Sequence, residues 1–264
     1  GEWAGTMNLT EPQAGSDVGA LRSKAEPNDD GSYAISGQKI YISWADNDFT
    51  ENVCHLVLAR LPDGVAGTKG ISLFMVPKLI PDADGNPGER NDLRVVSLEH
   101  KMGLHGSPTA VMEYAGAKGW LVGEKHAGLA AMFTMMNNAR LSVGLQGLSM
   151  AEMAYQHSLA YAHDRLQGTA PGAARGVQSP IVEHPDVRRM LMTQRAWIDG
   201  MRYLMYFNGA MLDRSRSADT EVAEWSTRLA ALLIPMSMSI VADVGIELTS
   251  MALQIFGGMG YVEE

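Results

Sequence analysis

Cysteine is almost missing: Cys54 stands alone in 264 residues, so no disulfide can close within the chain. A reducing compartment is the simple expectation, and a cytoplasmic one follows from it. Cys54 lies in the apolar run 53–58, where a packed thiol is expected rather than a reactive one. Basic runs are missing too, and the formal net charge is −9. That balance disfavours nucleic acid and anionic membrane surfaces as partners. No stretch reads as long and apolar enough to span a bilayer, and no signal peptide opens the chain, so no membrane insertion is expected.

Whole classes of chemistry lack their signatures. There is no G-x-S-x-G, no G-K-[ST] and no C-x-x-C, and the seven histidines show no metal-ligand spacing. Nucleophile-elbow, P-loop and zinc readings therefore have no support, and no metal is expected. Asp82-Ala83-Asp84-Gly85-Asn86 invites a calcium-loop reading, but Pro87 stands where that loop needs Gly and Leu93 where it needs a bidentate Glu. A solvated hairpin tip is the better expectation.

What is present falls into two halves. Hydrophobic residues make up 46% of the chain, enough for a large core or two domains. Up to residue 122, Gly, Pro, Asp and Asn recur at the spacing of a β-sandwich or barrel. Strands are expected at 20–26, 33–36, 39–43, 53–60, 71–77, 94–98 and 109–114. The run 71–76 is apolar on both faces and should be central. Past Gly123 the composition turns to Ala, Met and Leu, and Leu129, Met132, Phe133, Met136, Leu141, Leu145 and Leu148 fall at helical spacing. Three long helices are expected, at about 127–165, 184–216 and 217–256. The second carries Pro185 in its first turn, and the third is bent at Pro235. The fold class is therefore α+β and multidomain. An antiparallel β-sandwich or barrel over 1–122 precedes an antiparallel bundle of long helices over 123–264.

The most specific text is Met7-Asn8-Leu9-Thr10-Glu11-Pro12-Gln13-Ala14-Gly15-Ser16-Asp17. Pro12 rules out a helix and Gly15 permits a sharp bend. By itself the segment is either a turn after a short strand or a polar grip on a flat ring and a phosphate. It is followed by Ile35-Ser36-Gly37-Gln38-Lys39 and then by Tyr41-Ile42-Ser43. In this order and spacing, the run resembles the middle domain of acyl-CoA dehydrogenases, with their T-E-P-x-A-G-S-D, I-x-G-x-K and aromatic-x-Thr/Ser motifs. The helical half extends the resemblance through Asn138-Ala139-Arg140, Asp164-Arg165-Leu166-Gln167-Gly168, Glu183-His184-Pro185 and Gln254-Ile255-Phe256-Gly257-Gly258-Met259-Gly260-Tyr261. The insertion 168–180 looks closest to the longer branch of the family, which includes the 3-methylmercaptopropionyl-CoA dehydrogenases.

The resemblance implies FAD as cofactor and an acyl-CoA thioester as substrate. It implies electron-transfer flavoprotein as acceptor, and a homodimer or dimer of dimers. It places Met7, Leu9, Thr10, Tyr41 and Ser43 at the flavin ring, and Gly15 and Ser16 toward the diphosphate, with Ser16 also facing substrate. Arg140 would contact acyl-CoA. Arg165 with Gln254, Gly257 and Gly258 would serve the cofactor of a neighbouring subunit. It assigns no catalytic base within the chain. Ala139 occupies one of the family's two base positions, and the other falls in a Y-E-G-T stretch beyond the Gly motif. A truncated piece of a larger enzyme, lacking its base, is the expectation. Two further readings share these residues: an acyl-CoA oxidase, and a flavin-binding relative of the alkylation-response type that associates with DNA. The net charge disfavours the latter.

Overall fold

The computed structural model describes residues 1–263 and divides into two compact units, Gly1–Met135 and Met136–Glu264.

The first unit is a mixed sheet closed on itself. Its strands are β1 (Trp3–Asn8), β2 (Lys24–Pro27), β3 (Tyr33–Ser43), β4 (Asn52–Arg60), β5 (Ile71–Pro77), β8 (Leu93–Leu98) and β9 (Thr109–Val122), and the short pair β6 (Leu79–Pro81) and β7 (Pro87–Arg90) forms a separate hairpin. Antiparallel pairing links β4 to β5, β5 to β9, β9 to β3 and β3 to β2. The single parallel pair Lys24↔Arg60 between β2 and β4 completes the ring. The expected antiparallel sheet is corrected in two places: besides that pair, β1 pairs β4 in parallel along its whole length.

Sequence pattern explains most of this. Every residue of β5 except Met75 is buried, so it sits centrally between β4 and β9, as its two-faced apolarity requires. Ile35, Ile42, Val57, Phe74, Met112 and Tyr114 fill the core. Two bulges shift the alternation. On β9 the buried set passes from Ala110, Met112 and Tyr114 to Ala117 across Gly116, which has φ +90°. On β3, Lys39 pairs Met112 and Ile42 pairs Ala110, leaving one extra residue on β3. The 33–36 and 39–43 segments are thus a single strand, and β9 runs well past 114. The Asp82 side chain accepts from the N–H groups of Asp84 and Asn86 at the β6–β7 tip, and among the described residues no cluster could hold a metal ion.

The second unit contains the long helices. α1 (Gly128–Asp164) enters it from the first unit, and α2 (Pro185–Arg214) and α3 (Thr220–Phe256) follow. Asp219 caps α3, accepting from the N–H groups of Glu221 and Val222. Leu148 and Ala151 pack with Ile198, Met201 and Met205 and with Val241 and Leu248. Farther along, Ala162 meets Leu191 and Ile255. Residue numbers rise together on α1 and α3 and fall on α2, so the bundle runs up, down, up. Gln167 to Ser179 closes the insertion as an ordered loop, through Gln167 N–H to Ser179 O and Ser179 N–H to Gly168 O.

The expectation about membrane-crossing stretches is corrected by α3, which is long and apolar enough to cross a bilayer by length and composition. Pro235, Ser237, Ser239 and Asp243 interrupt the run in the sequence and hide its overall apolarity. In the structure its face at Ala230, Ile234, Val241, Leu248, Ala252 and Ile255 is buried.

Candidate functional site

In the first unit the motif loop leaves β1, turns back on itself, and is held against β3. Glu11 and Ala14 exchange both backbone hydrogen bonds at 3.0 Å, which closes the turn around Pro12. The Ile40 N–H donates to the Thr10 carbonyl at 2.9 Å. Lys39 donates from Nζ to the Leu9 carbonyl at 3.0 Å and to Glu11 Oε1 at 2.8 Å. The structure therefore brings Leu9 and Thr10 beside the strand segment that bears Tyr41 and Ser43. Met7, Gly15, Ser16, Tyr41 and Ser43 are exposed, and Leu9 and Thr10 are half-buried, so all seven border solvent.

Glu11 and Lys39 themselves are 3% and 0% exposed. Glu11 also accepts from Gln13 Nε2, from the Arg22 and Ser23 N–H groups, and from Ser23 Oγ. Burial alone would raise its pKa, but the Lys39 charge and hydrogen bond, with those from Ser23 and Arg22, bring it down to about 2. Burial pulls Lys39 down to about 8, against the opposing pull of Glu11. Both therefore stay ionised at neutral pH. The Gly37 of the I-x-G-x-K motif has a physical reason: a Cβ there would stand 2.3 Å from Ser23 Oγ, at a φ of +144°. On the far side of the loop, Arg60 donates to the carbonyls of Gly19 and Leu21.

A buried polar chain anchors the start of the loop. Tyr114 donates to Asn8 Oδ1 at 3.0 Å, Asn8 donates to Thr6 Oγ1 at 2.8 Å, and Thr6 Oγ1 lies 2.6 Å from His55 Nδ1. Burial lowers the His55 pKa to about 4, keeping the imidazole neutral at physiological pH. Neither the ion pair nor this chain was assigned a role from sequence. Lys39 stands two residues after Gly37 at an inward-facing position of β3, and it is recognisable as buried only once Glu11 is seen beside it.

Tyr41 sits at the β3 bulge with φ +62°, and Trp44 follows at φ +55°. Left-handed backbone is costly for aromatic residues, about 1–2 kcal/mol each. It turns the Tyr41 ring outward, leaving it 62% exposed.

In the second unit, Arg165, Gly257 and Gly258 line one cavity of about 380 Å³ with Tyr161, Phe256 and Met259. The Tyr161 and Phe256 rings lie 4.6 Å apart. No side-chain partner of Arg165 occurs among the described residues, and a Cβ built on Gly257 or Gly258 meets no atom within 4 Å. A guanidinium without a side-chain partner, in a cavity also lined by open glycine backbone, is suited to an anionic, flat-sided ligand. This arrangement fits the diphosphate of a dinucleotide. Gln254 does not line the cavity: it is exposed, and its carbonyl accepts the Gly257 N–H that ends α3. Arg140 lies roughly 37 Å before Arg165 along α1, half-buried, and is not brought to this cavity.

Comparison with known proteins agrees with both halves. Residues 6–117 match the acyl-CoA dehydrogenase middle domain and residues 126–264 the acyl-CoA dehydrogenase C-terminal domain. The chain belongs to the acyl-CoA dehydrogenase family. It is 49% identical over 264 residues to the 3-methylmercaptopropionyl-CoA dehydrogenase of Ruegeria pomeroyi, covering 100% of the chain and 45% of that protein. It is 39% identical over 274 residues to a butyryl-CoA dehydrogenase of Syntrophomonas wolfei, again covering 100% of the chain and 45% of that protein. The solved butyryl-CoA dehydrogenase of Megasphaera elsdenii superposes with a TM-score of 0.77 at 25% identity, over 98% of this chain and 59% of that one. The chain thus spans 45% of the length of the two curated relatives named here.

Proposed function

We propose that these two units belong to an FAD-dependent enzyme that introduces an α,β double bond into an acyl-CoA thioester. The observation that carries this reading is the lock between the motif loop and β3, which sets Leu9 and Thr10 beside Tyr41 and Ser43 along one accessible edge. Such an edge offers backbone and hydroxyl groups to the rim of a flat ring and an aromatic side chain to its face. When bound, FAD supplies the hydride acceptor for the β-hydrogen, at N5. Thr10 and Ser43 would hold the ring edge by their hydroxyls, and Gly15 and Ser16 would leave room for the diphosphate. Arg165, Gly257 and Gly258, with Gln254 in support, would receive the cofactor of a second subunit in a homodimer or dimer of dimers. Arg140 would bind the acyl-CoA.

The α-proton must leave to a carboxylate within reach of the α-carbon. Ala139 cannot take it, and the reading assigns the base to the longer protein rather than to this chain. Electron-transfer flavoprotein would be the partner that accepts the electrons, in a reducing, cytoplasmic setting.

The test is to assay chain 1–264 and the full open reading frame side by side, with 3-methylmercaptopropionyl-CoA, butyryl-CoA and an artificial electron acceptor. The longer protein should be yellow and active, and this chain slower by about 100-fold or more, the contribution of a general base. Equal turnover by the two would show the base to be misplaced. A colourless, inactive longer protein would overturn the reading.

A further inference from the structure

We propose that the buried Glu11–Lys39 pair is the positioning element of the flavin edge, tying the Leu9–Thr10 peptides to β3 so that the loop and the Tyr41–Ser43 segment act as one rigid body. The inference rests on the flavin reading above. Neither residue can touch a ligand, since they are 3% and 0% exposed, so their action runs through what they hold.

What they hold is specific. The Lys39 ammonium donates at once to Glu11 Oε1 and to the Leu9 carbonyl. The next residue on β3, Ile40, binds the Thr10 carbonyl through its N–H. Two consecutive carbonyls of the loop are thus fastened to two consecutive residues of β3. The residue after those is Tyr41, held in the left-handed conformation that turns its ring outward. Glu11 completes the clamp by gathering Gln13, Arg22 and Ser23 from either side of the loop. Gly37 is required there because any Cβ would collide with Ser23.

Stability does not explain the pair. Taking two charges out of water costs about what their attraction returns, and apolar replacements of buried pairs are often neutral or better. Geometry does explain it: donors at a reacting ring act by being fixed in advance, and a displacement of about 1 Å can cost about 100-fold in rate.

The test uses the full-length protein with FAD bound. The double variant Glu11→Gln/Lys39→Met removes both charges while keeping side-chain volume. Its thermal midpoint should stay near that of the wild type. Its kcat should fall about 10-fold or more with KM for acyl-CoA unchanged, and the flavin absorption band and reduction potential should shift. Ser23→Ala, which removes one donor to Glu11, is the milder probe should the double variant not fold. It should shift the flavin potential in the same direction by less. Wild-type potential, spectrum and kcat in whichever variant folds would overturn the inference alone. A wild-type protein that binds no flavin would overturn the functional reading, and the inference with it.

Discussion

Gly147 of α1 and Gly245 of α3 meet backbone to backbone in the helix bundle. A Cβ on Gly245 would stand 3.3 Å from the Gly147 carbonyl oxygen, and one on Gly147 would stand 3.0 Å from the carbonyl oxygen of Val241. Helices approach this closely only where side chains are absent. Gly147→Leu should therefore force α1 and α3 apart and destabilise the bundle by about 1–3 kcal/mol. Gly147→Ala should cost less, because gained helix propensity offsets part of the crowding, about 1 kcal/mol. Urea unfolding followed by far-UV circular dichroism measures both. A wild-type midpoint for Gly147→Leu would contradict the close crossing.

Glu11 sets part of the acid limb. Its folded pKa of about 2 lies below the ordinary 4.5. The stabilisation this brings is fully present above that ordinary value and is lost as the pH falls through about 2. A shift of this size corresponds to about 3 kcal/mol between ionised and protonated Glu11, which is not a net gain of the pair over an uncharged replacement. Lys39, lowered to about 8 by burial, remains charged across this range and adds no slope of its own. Urea midpoints taken between about pH 5 and pH 2 should fall more steeply for the wild type than for Glu11→Gln. Equal slopes would mean that Glu11 is not ionised in the fold.

Tyr41 separates stability from function. Its φ of +62° suits glycine far better than an aromatic residue, and its ring is mostly exposed. Tyr41→Gly should stabilise the chain by about 1 kcal/mol while slowing flavin-dependent turnover in the full-length protein. Calorimetry and steady-state kinetics on one preparation test both halves. A variant that is both destabilised and fully active would refute the assignment of that strain to the site.

How far the sequence revealed this fold depended on periodicity. α1 was legible to within a residue at each end because its apolar positions repeat at helical spacing over many turns. β9 was cut short at Tyr114 because Gly116 breaks the period-2 pattern, and a bulge restores it one residue out of phase. β1 was missed because its inward residues, Thr6 and Asn8, are polar and are satisfied by His55 and Tyr114, far away in the chain. The loop residues proposed to face the cofactor come from the resemblance, not from periodicity. The Glu11–Lys39 clamp could not be read from pattern, since a buried lysine is recognisable only once its carboxylate partner is in place.

Arg165 offers the most direct test of the second cavity. Its guanidinium has no side-chain partner among the described residues, and it lines the cavity with Gly257 and Gly258. Removing it should leave folding almost untouched, within about 0.5 kcal/mol, as for a surface substitution free of such contacts. If the cavity receives an anionic cofactor, the same change removes a charge-assisted hydrogen bond worth about 1.5–3 kcal/mol. Arg165→Ala in the full-length protein should then raise the Kd for FAD by about 10-fold or more, read from recovery of flavin fluorescence on dilution. Arg165→Lys keeps the charge but loses the planar fork, and should fall between the two. Wild-type FAD retention by Arg165→Ala, with unchanged thermal stability, would remove this cavity from the cofactor site.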